Sequence, residues 1–186
     1  MNTEIIDILK NGGVVVMPTD TIYGIVGSVL NSETVERIYQ LRKRNLDKPF
    51  IILISSINDL EKFDVKLTKK QREFLKKYWP NPLSIVLPVV DKKWKYLHRG
   101  TKTLAFRMPK DEKLLEVLKE VGPLVAPSAN SEGEKPSETI DEAKKYFGGS
   151  VLCYIDGGKI ISKPSTLIEL NNDGSYKILR AGEFKL

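Results

Sequence analysis

Gly12-Gly-Val-Val-Val-Met-Pro-Thr-Asp-Thr-Ile-Tyr-Gly24 is the stretch on which the fold turns. Val14 to Val16 place three β-branched residues in a row, the pattern of a short strand covered on both faces. Pro18 then removes a backbone donor and favours an exit from the ladder. Thr19, Asp20 and Thr21 follow, and two readings of them stay open. In the first they are a turn, with Asp20 and Thr21 bonding their own backbone. In the second they form a polar ligand cradle at a strand end, where α/β sheets place ligands.

Outward from this stretch, Ile5, Ile6 and Leu9 have helical spacing and Gly12 supplies a stop. A second helix begins near Asn31-Ser32, carries Val35, Ile38 and Leu41 on one face and ends in Arg42-Lys-Arg44. Phe50 to Ile54 is an apolar strand. Thr68-Lys-Lys-Gln71 is a capping box that opens a helix stopped at Pro80. Strands are expected at Leu83 to Val90 and Thr103 to Arg107, then a helix from Asp111 to Val121. Leu124 to Ala126 leads as a short strand into Pro127-Ser-Ala-Asn130. A helix at Ile140 to Phe147 and a strand at Val151 to Ile155 come next. Thr166 to Leu170, Asn171-Asn-Asp-Gly174 and Tyr176 to Arg180 read as a hairpin. The pattern predicts an α/β domain around a mixed, twisted sheet.

With 186 residues, 41% of them hydrophobic, the chain holds enough apolar material for one core, so a single domain over 1–186 is expected. No apolar run approaches the roughly 20 residues that span a bilayer, and the N-terminus lacks a signal pattern, so a cytoplasmic, membrane-free protein is expected. One cysteine, Cys153, reads as a buried strand residue and one histidine, His98, as a loop residue; together they exclude zinc sites of the usual spacing. A formal net charge of +6 favours polyanionic partners, nucleotides or RNA. Neither a Gly-x-x-x-x-Gly-Lys-Ser/Thr loop nor a Gly-x-Gly-x-x-Gly turn is present.

Polar clusters punctuate the strand ends: Thr19-Asp-Thr21, Arg42-Lys-Arg44 with Lys48, Thr103 to Arg107, Ser128-Ala-Asn130, then Ser165-Thr166 and Arg180. Arg42 and Arg44 also fit plain helix C-terminal cations, and Thr139 with Glu142 fits a capping box. Arg107 ends an otherwise apolar strand, where a buried guanidinium needs a partner, so a ligand contact is expected of it.

Taken in order, Pro-Thr-Asp-Thr-Ile-Tyr-Gly, Arg-x-Arg-x-x-x-Lys-Pro, Arg-Met-Pro, Pro-Ser-Ala-Asn, Ser-Thr-Leu and Ile-Leu-Arg-Ala-Gly resemble the YrdC/TsaC family of threonylcarbamoyl-AMP synthases of transfer-RNA modification. The resemblance runs from about Gly12 to Gly182. It implies a YrdC-like twisted sheet of parallel and antiparallel strands flanked by helices, with a concave basic cavity and no additional C-terminal domain. The family's Lys-x-Arg and Ser-x-Asn signature falls on Arg42, Arg44, Ser128 and Asn130, implied as catalytic. Thr21, Arg107, Ser128 and Ser165 match contacts to L-threonine and the carbamate, with Arg107 on the threonine carboxylate. Arg44, Lys48, Thr103, Asn130, Thr139 and Arg180 match ATP contacts.

Three departures stand out. Arg42 replaces the family's lysine, the loop Ser131-Glu-Gly-Glu-Lys-Pro136 is one residue longer, and Leu53 stands where longer members carry a histidine near threonine. The implied reaction joins L-threonine, bicarbonate or carbon dioxide and ATP into L-threonylcarbamoyl-AMP, releasing pyrophosphate. Mg2+ is expected to travel on ATP and not in a protein metal site. Expected partners are weakly bound transfer RNA on the basic surface and a downstream threonylcarbamoyl-transferase complex. Two rivals remain in view. A non-catalytic double-stranded RNA or transfer-RNA module would use Arg42, Lys43, Arg44, Lys48 and Arg180 on phosphates, with steep salt dependence. A carbamoyl-transfer domain of the hydrogenase-maturation kind would bring cysteine pairs for zinc, against the single cysteine here.

Overall fold

The computed structural model describes residues 3–186; Met1 and Asn2, with which the expected 1–186 domain begins, lie outside the described residues. Helix α1 (Thr3–Lys10) turns Ile5 and Leu9 inward. Strands β1 (Val15–Pro18) and β2 (Tyr23–Ser28) then form an antiparallel hairpin around the Thr-Asp-Thr turn. The second of these strands was not expected. Gly24 and Gly27 weaken its strand signature, yet all six of its residues are buried.

Helix α2 (Ser32–Leu41) starts where Asn31 accepts the Thr34 N–H at 3.0 Å. After β3 (Ile51–Leu53), α3 (Lys69–Tyr78) opens on the reciprocal Thr68–Gln71 box, 3.1 and 3.0 Å. Next come β4 (Leu83–Pro88), the single turn α4 (Lys95–His98) and β5 (Thr103–Arg107). Asp111 caps α5 (Glu112–Val121) by accepting the Leu114 N–H at 2.8 Å. The remainder is β6 (Leu124–Val125), α6 (Ile140–Phe147), β7 (Cys153–Tyr154) and the hairpin β8 (Thr166–Leu170) and β9 (Tyr176–Arg180).

Among the described residues the strands make one sheet, ordered β7-β1-β2-β6-β3-β5-β4-β8-β9. The pairs β1·β7, β3·β5 and β4·β8 are parallel and the others antiparallel, so the sheet is mixed as expected. Strand alternation sorts the core into two clusters. Val14, Val16, Ile25, Ile52, Ile85, Leu104, Phe106 and Ile168 join α2, α3 and α6 in the larger one. Val15, Met17, Val26, Leu53 and Leu124 meet α1 and α5 in the smaller one.

That second face is therefore covered over β1, β2, β6 and β3 only. Across β5, β4 and β8 it carries Ala105, Val86 and Leu167, all half-buried, and stays open. The functional side chains gather on this open part.

Two smaller expectations change. Cys153 is half-buried at the sheet edge, where burial raises its thiol pKa. His98 is buried at the end of α4, with Nδ1 accepting the Gly100 N–H at 3.1 Å. Among the described residues no helix is long and apolar enough to cross a membrane.

Candidate active site

The turn between β1 and β2 combines both readings of Thr-Asp-Thr. Thr19 does the turn chemistry: its Oγ1 donates to the Ile22 carbonyl at 2.7 Å and accepts the Thr21 N–H at 3.3 Å. Thr21, with its hydroxyl 3.2 Å from that of Thr19, faces a cavity of about 190 Å3. Asp20 does not bond its own backbone as expected. Its side chain is 3% exposed and reaches across to Arg107, with Oδ1 3.0 Å from Nη2.

Arg107 closes β5 and lines the same cavity, and the partner its buried guanidinium has is Asp20. Burial pushes its pKa below the ordinary arginine value; Asp20 pulls it back up, and Arg180 adds repulsion.

Gly24 lets the next segment approach. Its backbone bridges to Ser128, and a Cβ there would sit 3.0 Å from the Thr19 methyl and 3.4 Å from the Pro127 carbonyl. Ser128 thereby reaches the cavity wall. Arg42, at the C-terminal cap of α2, forks onto this segment. Nε donates to the Asn130 carbonyl at 3.0 Å, and Nη2 donates to Ser128 Oγ at 3.1 Å and Asn130 Oδ1 at 3.3 Å. Burial first, then Arg44, lowers the Arg42 pKa to about 10, with Glu132 opposing. Asn130 does not line the cavity; its amide donates to the Ser131 and Glu134 carbonyls at 2.7 and 2.8 Å. It holds the loop that Arg42 grips.

Arg44 lines the cavity with Nε bonded to the Lys48 carbonyl at 3.1 Å and its guanidinium over Phe50. Glu132, which the sequence reading passed over, ties this corner together. Its Oε1 is 2.9 Å from Lys48 Nζ and 3.9 Å from Arg44 Nη1, and Oε2 accepts the Asn45 N–H at 2.6 Å. These contacts, the Asn45 N–H foremost, hold the Glu132 pKa below the usual carboxylate value. Lys48 itself is exposed and does not line the cavity.

On the opposite wall Arg180, at the end of β9, donates from Nε and Nη2 to the Ser165 carbonyl at 3.2 and 2.8 Å. Ser165 Oγ is 2.8 Å from Ser84 Oγ, a buried hydroxyl that the sequence reading also missed. Burial and Arg44 lower the Arg180 pKa.

Besides Lys48 and Asn130, two more expected ATP contacts lie outside the cavity wall. Thr103 shares the face of Ala105 and Arg107 but stands four residues from Arg107, about 13 Å along an extended strand, beside Thr101. Thr139 caps α6 by accepting the Glu142 N–H at 3.3 Å and does not line the cavity. Leu53 is fully buried in the smaller core cluster and is absent from the cavity wall too. Thr21, Arg42, Arg44, Arg107, Ser128, Ser165 and Arg180 do converge there.

Fold and cavity together define an α/β protein whose open sheet face carries a cavity lined by four arginines and by hydroxyls. A family model named Sua5_yciO_yrdC and described as telomere recombination matches residues 7–182. The chain belongs to the Sua5/YciO/YrdC family. It is 34% identical over 166 residues to the threonylcarbamoyl-AMP synthase of Pyrococcus abyssi, covering 87% of this chain and 48% of that protein. A putative threonylcarbamoyl-AMP synthase of Mycobacterium tuberculosis is 31% identical over 175 residues, 94% of this chain and 80% of the relative. The structure superposes with a TM-score of 0.86 on P. abyssi Sua5 complexed with L-threonine, 33% identical, over 96% of this chain and 53% of the other. The chain thus spans about half the length of the Pyrococcus relative.

Proposed function

We propose that this chain synthesises L-threonylcarbamoyl-AMP from L-threonine, bicarbonate or carbon dioxide, and ATP, releasing pyrophosphate. The observation that carries the reading is the convergence of Arg42, Arg44, Arg107 and Arg180 with the hydroxyls of Thr21, Ser128 and Ser165 in one cavity. Relatives named as threonylcarbamoyl-AMP synthases and a related structure holding L-threonine support it.

In this proposal Arg107 takes the threonine carboxylate, because a guanidinium fork gives two parallel charge-assisted bonds. Thr21, Ser128 and Ser165 orient the threonine and the carbamate. The threonine amine adds to the carbon of carbon dioxide and loses a proton, giving the carbamate. A carbamate oxygen then attacks the α-phosphorus of ATP, and the bond to the β-phosphate oxygen breaks. Arg44, Lys48 and Arg180 neutralise the departing pyrophosphate in place of a phosphate loop. Asn130, and Thr103 further along the open face, are assigned to the nucleotide. No protein nucleophile takes part; positioning and charge stabilisation supply the catalysis. Mg2+ belongs to the ATP phosphates, since no carboxylate lines the cavity among the described residues and Asp20 and Glu132 are each engaged by cations. The product, a mixed anhydride, has to be consumed by a transferase acting on transfer RNA.

The test is pyrophosphate release, with mass spectrometry of the products. Release should require ATP, L-threonine and bicarbonate together and should not require RNA. Serine should replace threonine poorly, by about 10 to 200-fold for one methyl group. Release that needs RNA, or no release in any combination, would leave the RNA-binding module as the better reading.

A further inference from the structure

Asp20 has no part in the reaction just described, yet it is among the most enclosed charges in the molecule. Neither of its carboxylate oxygens has a hydrogen-bond partner, and Arg107 Nε has none either. A buried carboxylate in that condition is costly unless a countercharge offsets it. Arg107, with Nη2 at 3.0 Å, is that countercharge.

The local chain explains how the carboxylate gets there. Thr19 satisfies the turn's backbone through Thr21, Ile22 and its own hydroxyl, so Asp20 is not needed for the turn. It is turned inward instead.

The arrangement is one-sided: Arg107 lines the cavity and Asp20 does not. Asp20 therefore meets the guanidinium from within the protein, while the cavity side of Arg107 stays available. Its contact is an ion pair without hydrogen-bond alignment, so it does not occupy the fork as a bidentate carboxylate would. Arg180 adds a repulsion to the Arg107 guanidinium, opposite in sign to the attraction of Asp20. Asp20 is the charge that offsets that repulsion.

We infer that Asp20 is the positioning residue for Arg107: it holds the guanidinium at the cavity wall, and so sets affinity for the amino-acid substrate's carboxylate but not for the nucleotide. This rests on the assignment of Arg107 to the threonine carboxylate.

Asp20→Asn keeps the side-chain shape and removes the charge. Calorimetry should show threonine affinity falling about tenfold or more, ~1.4 kcal/mol per decade, with ATP affinity within about twofold of wild type. Asp20→Glu, which keeps the charge, should recover part of that loss. The Arg107 Nε–H NMR signal, assigned by its disappearance in Arg107→Lys, should shift or broaden in Asp20→Asn and return towards its position in Asp20→Glu. If Asp20→Asn does not fold, Asp20→Glu is read by the same split between threonine and ATP.

Equal losses of both ligands alongside a lowered Tm would reduce Asp20 to a structural residue and overturn the inference. So would unchanged threonine affinity with lost turnover, which would make Asp20 act on the amine. A wild-type protein that binds no threonine would instead sink the synthase reading, and the Arg107 signal would still decide whether Asp20 holds the guanidinium.

Discussion

Arg42 makes three hydrogen bonds to residues 128–130, and these need a fork, not a point donor. Arg42→Lys keeps the charge but leaves most of those acceptors unsatisfied. It should lower stability by about 1–3 kcal/mol in urea unfolding, more than the name of the exchange suggests. Arg107→Ala poses a different problem. An arginine that served the ligand alone would leave a folded protein that merely loses threonine. The structure adds that Asp20 would be left buried and unpaired, a loss of about 3–5 kcal/mol. Adding Asp20→Asn to Arg107→Ala should restore the Tm without restoring threonine binding, and calorimetry on the double variant checks both.

Caps made the helices legible. Asn31, Thr68, Asp111 and Thr139 each accept the backbone N–H that their spacing announces. Thr139→Ala should therefore lower stability by about 1 kcal/mol and leave ATP affinity unchanged, as measured by denaturant melts and nucleotide titration. What no spacing announced was β2, whose two glycines weaken its strand signature, and the grip of Glu132 on the loop after α2. The Glu132 pKa is lowered on folding, so its contacts are present above the ordinary carboxylate value and are lost as pH falls through the folded one. The Asn45 amide shift should titrate with a midpoint below 4.5, the ordinary glutamate value here, and should lose that step in Glu132→Gln.

At the scale of the molecule, the class of the sheet followed from alternating helices and strands, but its order did not. Strand β6 lies between β2 and β3, and β5 between β3 and β4, so the cavity joins the local hairpins β1·β2 and β8·β9 through non-local pairs. Seven of the expected site residues line one cavity, while Thr103 stands at the far end of β5 and Thr139 at the cap of α6. Burial divides the cations as well. Lys48 is exposed and Arg107 is not, so raising salt should weaken ATP binding while threonine binding hardly moves. Equal salt slopes in the two titrations would contradict this division.

Arg180 rides on β9, which ends the sheet and exposes Ile178 and Leu179 at 53% and 46%. Its strand has a neighbour on one side among the described residues, so little burial opposes its detachment. Such margins open at a fraction of the global unfolding free energy. On warming, one wall of the cavity should peel away while the helices persist, so catalysis should fade several degrees before the far-ultraviolet dichroism does. Deuterium uptake in the same interval should appear first in the 176–180 peptide, making the last strand of the fold the thermal fuse of its chemistry.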